Sequence, residues 1–397
     1  MDKHFHILIL GGGTAGLTVA SQLAQRIGGR DIAIVEPSAT HYYQPLWTLV
    51  GGGIFPREDS AREERDLIPD EVTWIRDAAT SIDPEHRRVV TSDSGMLTYD
   101  FLVVAPGVVP QWTKIPGLAE SVGKPGTGVV SNYSYETVTS TWDAIRSFSG
   151  GTALFTEPVT PVKCGGAPQK IMYLAEEVFR ANGVRDKSRV VFLNAKPTLF
   201  TAPYYIPALE RVIKSRGMEV QLGQELLALR PDVHEAVFRD VKSGTEQTMR
   251  FDMIHVTPPM GPPEFVRSSP LANGDGWIEV DKFSLQHVRH PEVFGLGDAS
   301  NLPTSKTGAA IRKQAPVVVE NLLALRAGQP LSARYDGYTS CPVVTGRGKL
   351  IMAEFNYAKE PVETFPADQR MERFSMYALK AYMLPRLYWH GMLRGRA

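Results

Sequence analysis

Apolar residues in this chain fall into two patterns. Some stand in short unbroken runs with β-branched members, as in Ile7-Leu8-Ile9-Leu10, Ile32-Ala33-Ile34-Val35, Phe101-Leu102-Val103-Val104 and Val190-Val191-Phe192-Leu193. Runs of that length, apolar on both faces, predict strands buried in a parallel sheet. Others recur every three or four positions, over 17–24, 171–180 and 371–393, and that period predicts helices with one apolar face. Strand, helix, strand thus occurs at 7–35 and again at 152–193, so two βαβ units of an α/β protein are expected. Between them, 72–75, 88–90 and 101–104 read as a meander of short strands, closed by Ala105-Pro106-Gly107. Near residue 255 a further strand, stopped by Pro258-Pro259, reads as the return to the first unit. The expected division is 1–113 for the first domain, 114–252 for the second, 253–330 for the return, and 331–397 for a C-terminal region.

The joint after the first strand carries chemistry. Gly11, Gly13 and Gly16, with Thr14 and Ala15 between them, have the G-x-G-x-x-G spacing that opens a helix. The glycines permit a tight turn, close approach to a pyrophosphate and close helix–strand packing, while the helix N-terminus faces the negative charge. A glycine turn without ligand has the same spacing. Here the next strand ends in Glu36, placed to hold a ribose hydroxyl. Gly297-Asp298 follows a late strand and can hold a ribityl hydroxyl, and the helix expected from the 301–308 segment, with Lys306 and Thr307, offers free amides to a flavin edge. Pro106 and Gly107 close the first unit beside it. Two such separated segments favour FAD over NAD. The 41–47 segment, His41-Tyr42-Tyr43-Gln44-Pro45-Leu46-Trp47, is either a wall beside that cofactor or an ordinary apolar loop. In the second unit the connecting loop 156–168 holds three prolines and Cys164, and its second strand ends at Asn194 where an acid would grip a ribose. Binding of NAD(P)H there is not expected.

Composition narrows the class. Lys+Arg and Asp+Glu both number 43, so no global field attracts nucleic acid, and no metal site is expected. No run of 18 apolar residues exists. The first strand starts a few residues after Met1, so no leader is expected unless one was removed, and two cysteines fit a reducing compartment. At the far end, Phe374, Tyr377, Tyr382, Tyr388 and Trp389 recur at helical spacing around Pro385, with six basic and two acidic residues over 367–397. That composition predicts two amphipathic helices lying at a membrane surface, or else a core or subunit-interface pair.

Cys164 follows Lys163 at the start of a helix, with Lys170 further on, a setting that favours thiolate. Cys341 lies in a stretch bounded by glycine and proline that reads as a loop. A redox pair across a flavin is the reading of the two together. At these residues the chain resembles the sulfide:quinone oxidoreductases of mitochondrial type. The resemblance rests on Lys163-Cys164-Gly165-Gly166-Ala167-Pro168-Gln169-Lys170, His255-Val256-Thr257-Pro258-Pro259-Met260, Asn301-Leu302-Pro303-Thr304-Ser305-Lys306-Thr307 and Tyr335-Asp336-Gly337-Tyr338-Thr339-Ser340-Cys341-Pro342. It implies a glutathione-reductase-like fold of two Rossmann-like domains, one FAD, oxidation of hydrogen sulfide, and electrons passed to membrane quinone. The sulfur would go to a thiol, sulfite or further sulfide. It also implies a peripheral place on a membrane, at the cytoplasmic face of a bacterial inner membrane or at the mitochondrial inner membrane, and leaves a homo-oligomer open. Other branches of the family use a third cysteine that this chain lacks. The resemblance leans to Cys341 on the flavin side and Cys164 carrying sulfur. The competing readings are an NADH:quinone dehydrogenase and a non-catalytic, redox-sensing flavoprotein.

Overall fold

The computed structural model describes residues 3–397. Ile7, Leu8, Ile9 and Leu10, in the strand Lys3–Leu10, have no appreciable exposure, as an apolar run between two layers requires. This strand pairs in parallel with Ile32–Val35 on one side and Met96–Val104 on the other. Thr73–Ile75 adds a parallel edge beyond Ile32–Val35, and Val293–Gly295 pairs in parallel with Met96–Val104. The remaining strands, Ala79–Asp83 and Arg88–Thr91, continue the sheet antiparallel. Helix Thr14–Ile27 follows the first strand and packs beside helix Gly308–Arg326, so segments almost 300 residues apart share one layer.

The second sheet is parallel throughout, in the order Val129–Val130, Met253–His255, Gly151–Glu157, Ser188–Asn194, Glu219–Leu222. Met253–His255 therefore departs from expectation. It pairs with Val129–Val130 and Gly151–Glu157 rather than starting the return to the first sheet. The pairing leaves Met253, Ile254 and His255 buried, which a strand crossing between domains would not be. The crossing comes just after it, where Met260–Gly261 lies antiparallel to Val109–Pro110, so outgoing and returning chains run as one ribbon. A three-stranded antiparallel sheet (Gln224–Arg230, Glu235–Asp240, Glu246–Arg250) caps the second domain around Phe238 and Ile254.

Two further expectations change. Cys341 lies in the strand Thr339–Gly346, paired to Lys349–Phe355, and not in a loop. A two-stranded ribbon tolerates Pro342 because one of its edges needs no N–H donor. The C-terminal segment forms Phe374–Ala378, a π turn Leu379–Met383 and Leu384–His390 in sequence. Pro385 thus follows a widened turn instead of splitting two helices, since its missing N–H falls in the first turn of the next helical stretch, Leu384–His390. Tyr377, Tyr388 and Trp389 are buried, against the expectation of a lipid-facing role for them. Ser21 and Gln25 on the first helix donate to the carbonyls of Leu393 and Arg394, which ties the tail to the first domain. Phe374, Tyr382 and Met383 face outward. No helix among the described residues is long and apolar enough to cross a membrane.

Candidate active site

The glycine turn brings distant segments together. Gly11 has φ +101, and a Cβ there would sit 2.6 Å from the Ala105 carbonyl oxygen and 2.7 Å from Pro106 Cα. At Gly16 a Cβ would come 1.8 Å from the Gly11 carbonyl oxygen. Gly13, by contrast, would meet nothing within 4 Å, and no side chain caps the helix it starts. The first-turn amides are therefore free toward open space. Glu36 accepts from the Gly12 and Ser38 amides, each at 2.8 Å, which fixes its carboxylate at the turn. Ala15 reaches the late segment, since a Cβ on Gly297 would lie 3.2 Å from Ala15 Cβ.

Gly297, Asp298, Lys306 and Thr307 line one cleft with Gln314. The 301–306 segment is not helical, and Thr307 is the N-cap of Gly308–Arg326, its hydroxyl accepting from the Ala310 amide at 3.1 Å. Lys306 donates to the Asp298 carbonyl at 2.6 Å and lies 3.9 Å over the Trp277 ring. The Asp298 carboxylate accepts no hydrogen bond among the described residues. Desolvation in the cleft raises its pKa, while Lys306 and Lys163 oppose the rise. A bare helix start, a tethered Glu36 and an unpartnered Asp298 suit a flavin dinucleotide, whose phosphates and hydroxyls would supply the missing partners.

The cysteines meet at the boundary between the domains. Cys164 Sγ lies 3.4 Å from Cys341 Sγ, and Lys170 Nζ donates to Cys164 Sγ at 3.1 Å. Gly166 makes room, because a Cβ there would sit 2.5 Å from the Cys341 sulfur. Cys164 itself has φ +55, a left-handed conformation that disfavours any side chain, and its amide donates to the Lys306 carbonyl at 2.8 Å. The Cys341 thiol as donor, Lys170 and the Gly166 amide hold the Cys164 pKa well below the ordinary thiol value, against burial. The same sulfur contact and burial push Cys341 well above it. Burial opposes charge on Lys170, but the two sulfurs outweigh it and raise its pKa. One thiolate, one thiol and one ammonium result.

Several side chains around the site carry no motif. Lys380, counted above among membrane-facing basic residues, is buried, donates to the Pro45 carbonyl at 2.9 Å, and is lowered to about 7 by burial and by Lys170. A lone lysine within an apolar stretch was its only signal. His41 shares hydrogen bonds with Tyr388 (2.5 Å) and the buried Glu64 (3.2 Å), and Tyr388 bonds Thr14 at 2.8 Å. The 41–47 segment is thus a wall between turn, tail and cysteines: Lys163 donates to Gln44 at 2.7 Å and stands 5.8 Å over Trp47. In the second domain, Asn194 is spent on a local turn, accepting from the Lys196 amide and donating to Thr198. Glu157 and Lys196 form a 2.5 Å ion pair at the carboxyl edge of that sheet, where a nucleotide would lie.

The chain is similar to known proteins. Residues 5–138 match the pyridine nucleotide-disulphide oxidoreductase family. The mitochondrial sulfide:quinone oxidoreductase of Dictyostelium discoideum is 48% identical over 98% of this chain and 86% of its own. The chain belongs to the sulfide:quinone oxidoreductase family. The Mus musculus mitochondrial enzyme of that name is 45% identical over 99% of this chain and 87% of its own. In fold, the Aquifex aeolicus sulfide:quinone oxidoreductase superposes with a TM-score of 0.82 at 19% identity, covering 100% of this chain and 92% of that one. Membership implies a flavin cofactor.

Proposed function

We propose that the protein oxidises hydrogen sulfide with FAD and passes the electron pair to quinone. The observation that carries this is the 3.4 Å pair of Cys164 and Cys341 with Lys170 beside it, in a chain of this family. The dinucleotide would be held by Gly11, Gly13, Thr14, Ala15, Gly16 and Glu36 at one end and by Gly297, Asp298, Lys306 and Thr307 at the other, with Pro106 and Gly107 between. When bound, FAD supplies a two-electron carrier that the side chains lack.

The protein's part is sulfur chemistry. Oxidised, the two cysteines bridge, and sulfide attack breaks the bridge into one persulfide and one thiolate. The sulfur with the lower pKa leaves more readily, so Cys164 leaves as thiolate and Cys341 carries the added sulfur. This reverses the leaning drawn from resemblance. Its support is the ammonium of Lys170 on Cys164 and the main-chain bond from Cys164 to Lys306 on the flavin side. An acceptor such as sulfite or a thiol then removes the outer sulfur. Phe374, Tyr382 and Met383, outward on the tail, would meet the membrane that dissolves the quinone.

The test is anaerobic mixing of the purified holoprotein with sulfide. The flavin band near about 450 nm should bleach and recover on adding quinone. A Cys164→Ser protein should keep its flavin and lose the sulfide-driven bleaching. NADH should leave the band unchanged, because Asn194 and the Glu157–Lys196 pair fill the second nucleotide edge. Bleaching by NADH but not sulfide would make the protein a dehydrogenase instead.

A further inference from the structure

Sulfide chemistry releases protons inside a buried site. Taken as hydrogen sulfide attacking a Cys341–Cys164 bridge, one S–S bond breaks and one forms: the products are a Cys341 persulfide that keeps one proton, a Cys164 thiolate, and one free proton. Transfer of the outer sulfur to sulfite gives thiosulfate and a Cys341 thiolate and frees the second. The two thiolates hold the electron pair that goes on to the flavin as the bridge reforms. Two protons per turnover are thus freed beside the buried sulfurs; quinone reduction takes up two again, so the route carries protons between the sulfurs and solvent with no net release over a full turnover. Lys170 is already committed to Cys164, and Lys380 to the Pro45 carbonyl.

Two carboxylates, Asp298 and Glu157, are near enough to Cys164 to feel its charge. Asp298 belongs to the flavin cleft. Glu157, with its side chain 3% exposed, ends its strand at the ion pair with Lys196, whose side chain is 28% exposed and reaches solvent. Tyr133 OH lies near Glu157 and both sulfurs and beside Thr257 Oγ1, and both hydroxyls are buried without a hydrogen bond among the described residues. They are held by a main-chain frame. The Thr257 amide donates to Thr156 Oγ1 at 3.3 Å, Ser131 Oγ to the Val256 carbonyl at 2.7 Å, and the Tyr133 amide to Ser131 Oγ at 3.3 Å. Tyr133 packs on Val162, Met260 and Ala167, which flank Lys163 and Cys164. Buried hydroxyls so placed are seats for ordered water.

We propose, resting on the sulfide reading above, that Glu157 takes the protons released at the cysteine pair, through water seated on Tyr133 and Thr257, and hands them to solvent at Lys196. His255, on the neighbouring strand, is excluded: its Nε2 accepts the Asn132 amide at 3.1 Å, so the ring is neutral, and burial lowers it to about 3. Burial, then Cys164 and Glu157, raise the Tyr133 phenol well above its usual value, so it relays protons without ionising. Burial raises Glu157 while Lys196 opposes the rise and Cys164 adds to it. Lys170 and Lys380, and Lys163 through Asp298, are the other charged groups around the cysteine end.

Stopped-flow bleaching of the holoprotein by sulfide, without oxygen and across pH 5.5–9, tests it (a range of about 3.5 units around neutrality). Glu157→Gln should slow bleaching about tenfold or more near neutral pH and remove the acidic limb of the profile. Added formate, a small carboxylate, should restore part of the rate. Thr257→Val, nearly isosteric, should slow bleaching and enlarge the solvent deuterium effect, while re-oxidation by quinone stays at the wild-type rate in both variants. A Glu157→Gln protein with wild-type rate and profile overturns the route. Should that variant lose its flavin, Lys196→Met decides: removing the cation should move the acidic limb to higher pH, and an unmoved limb overturns the route. Failure of the wild-type flavin to bleach would overturn the sulfide reading itself.

Discussion

After Lys3–Leu10 the chain turns on three glycines into a helix whose first amides stay bare. After Gly151–Glu157 it takes a longer, proline-rich path, sets Cys164 in a left-handed conformation, and starts the helix Ala167–Ala181 beside a thiolate. Both are strand-to-helix turns at the carboxyl edge of a parallel sheet, and both use the positive end of a helix dipole. The first offers that end to a ligand's phosphates. The second spends it on the protein's own sulfur and closes the remaining edge with Glu157 and Lys196. One architecture thus serves as a cofactor cradle and as a reactive centre, according to what fills the turn.

The strongest way to break this comparison is to damage the first turn alone. Gly16→Ala places a Cβ on the Gly11 carbonyl, a clash that only backbone movement relieves. We expect the protein to purify with under roughly a tenth of its flavin, with alkylation of Cys164 unchanged if the second domain folds by itself. Absorbance of the purified protein checks the first point and iodoacetamide labelling the second.

A smaller effect sharpens the other side. Lys170→Met removes the cation that favours the Cys164 thiolate, so its pKa must rise and less thiolate is present at any pH below that value. Iodoacetamide should label the reduced variant roughly tenfold more slowly near neutral pH, with the two proteins converging in alkali. Equal labelling at neutral pH would mean that Lys170 does not set the reactivity of this turn.

Much of the comparison was legible in the chain, because strands buried on both faces and glycine turns leave local signatures. Ile7–Leu10 and Gly11–Gly16 need only their neighbours to be understood. What stayed hidden depends on residues far apart in sequence. Lys380 looks like a membrane-facing cation until the fold places Pro45 above it. Tyr388 and Trp389 have the spacing of an amphipathic face, and periodicity cannot tell a lipid surface from a protein one. The strand Met253–His255 is short, and its partner is chosen by sheet topology rather than by composition. Cys341 sits beside a proline that reads as a turn until a two-stranded ribbon accepts it.

The smallest effect concerns the tail. Its buried aromatics hold the first domain, so truncation would disturb the glycine turn through Tyr388 and Thr14. Tyr382→Ser with Met383→Ser changes only outward side chains. We expect co-sedimentation with lipid vesicles to fall several-fold, in line with about 1 kcal/mol lost in all from two side chains that only partly leave water, while sulfide bleaching in solution is unchanged. Vesicle binding equal to wild type would leave the tail as a purely structural element.

One main-chain contact has a mechanical consequence. Lys163 and Lys306 form an isolated bridge, and the Cys164 amide bonds the Lys306 carbonyl beside it. The two domains are riveted at the reacting sulfur itself. Enzymes that close a cleft over a large substrate need free travel at that point, and here such travel would break the bond that places Cys164. Reagents therefore reach the sulfurs with the joint held in place, and a reductant with a single heavy atom suits so restrained a site.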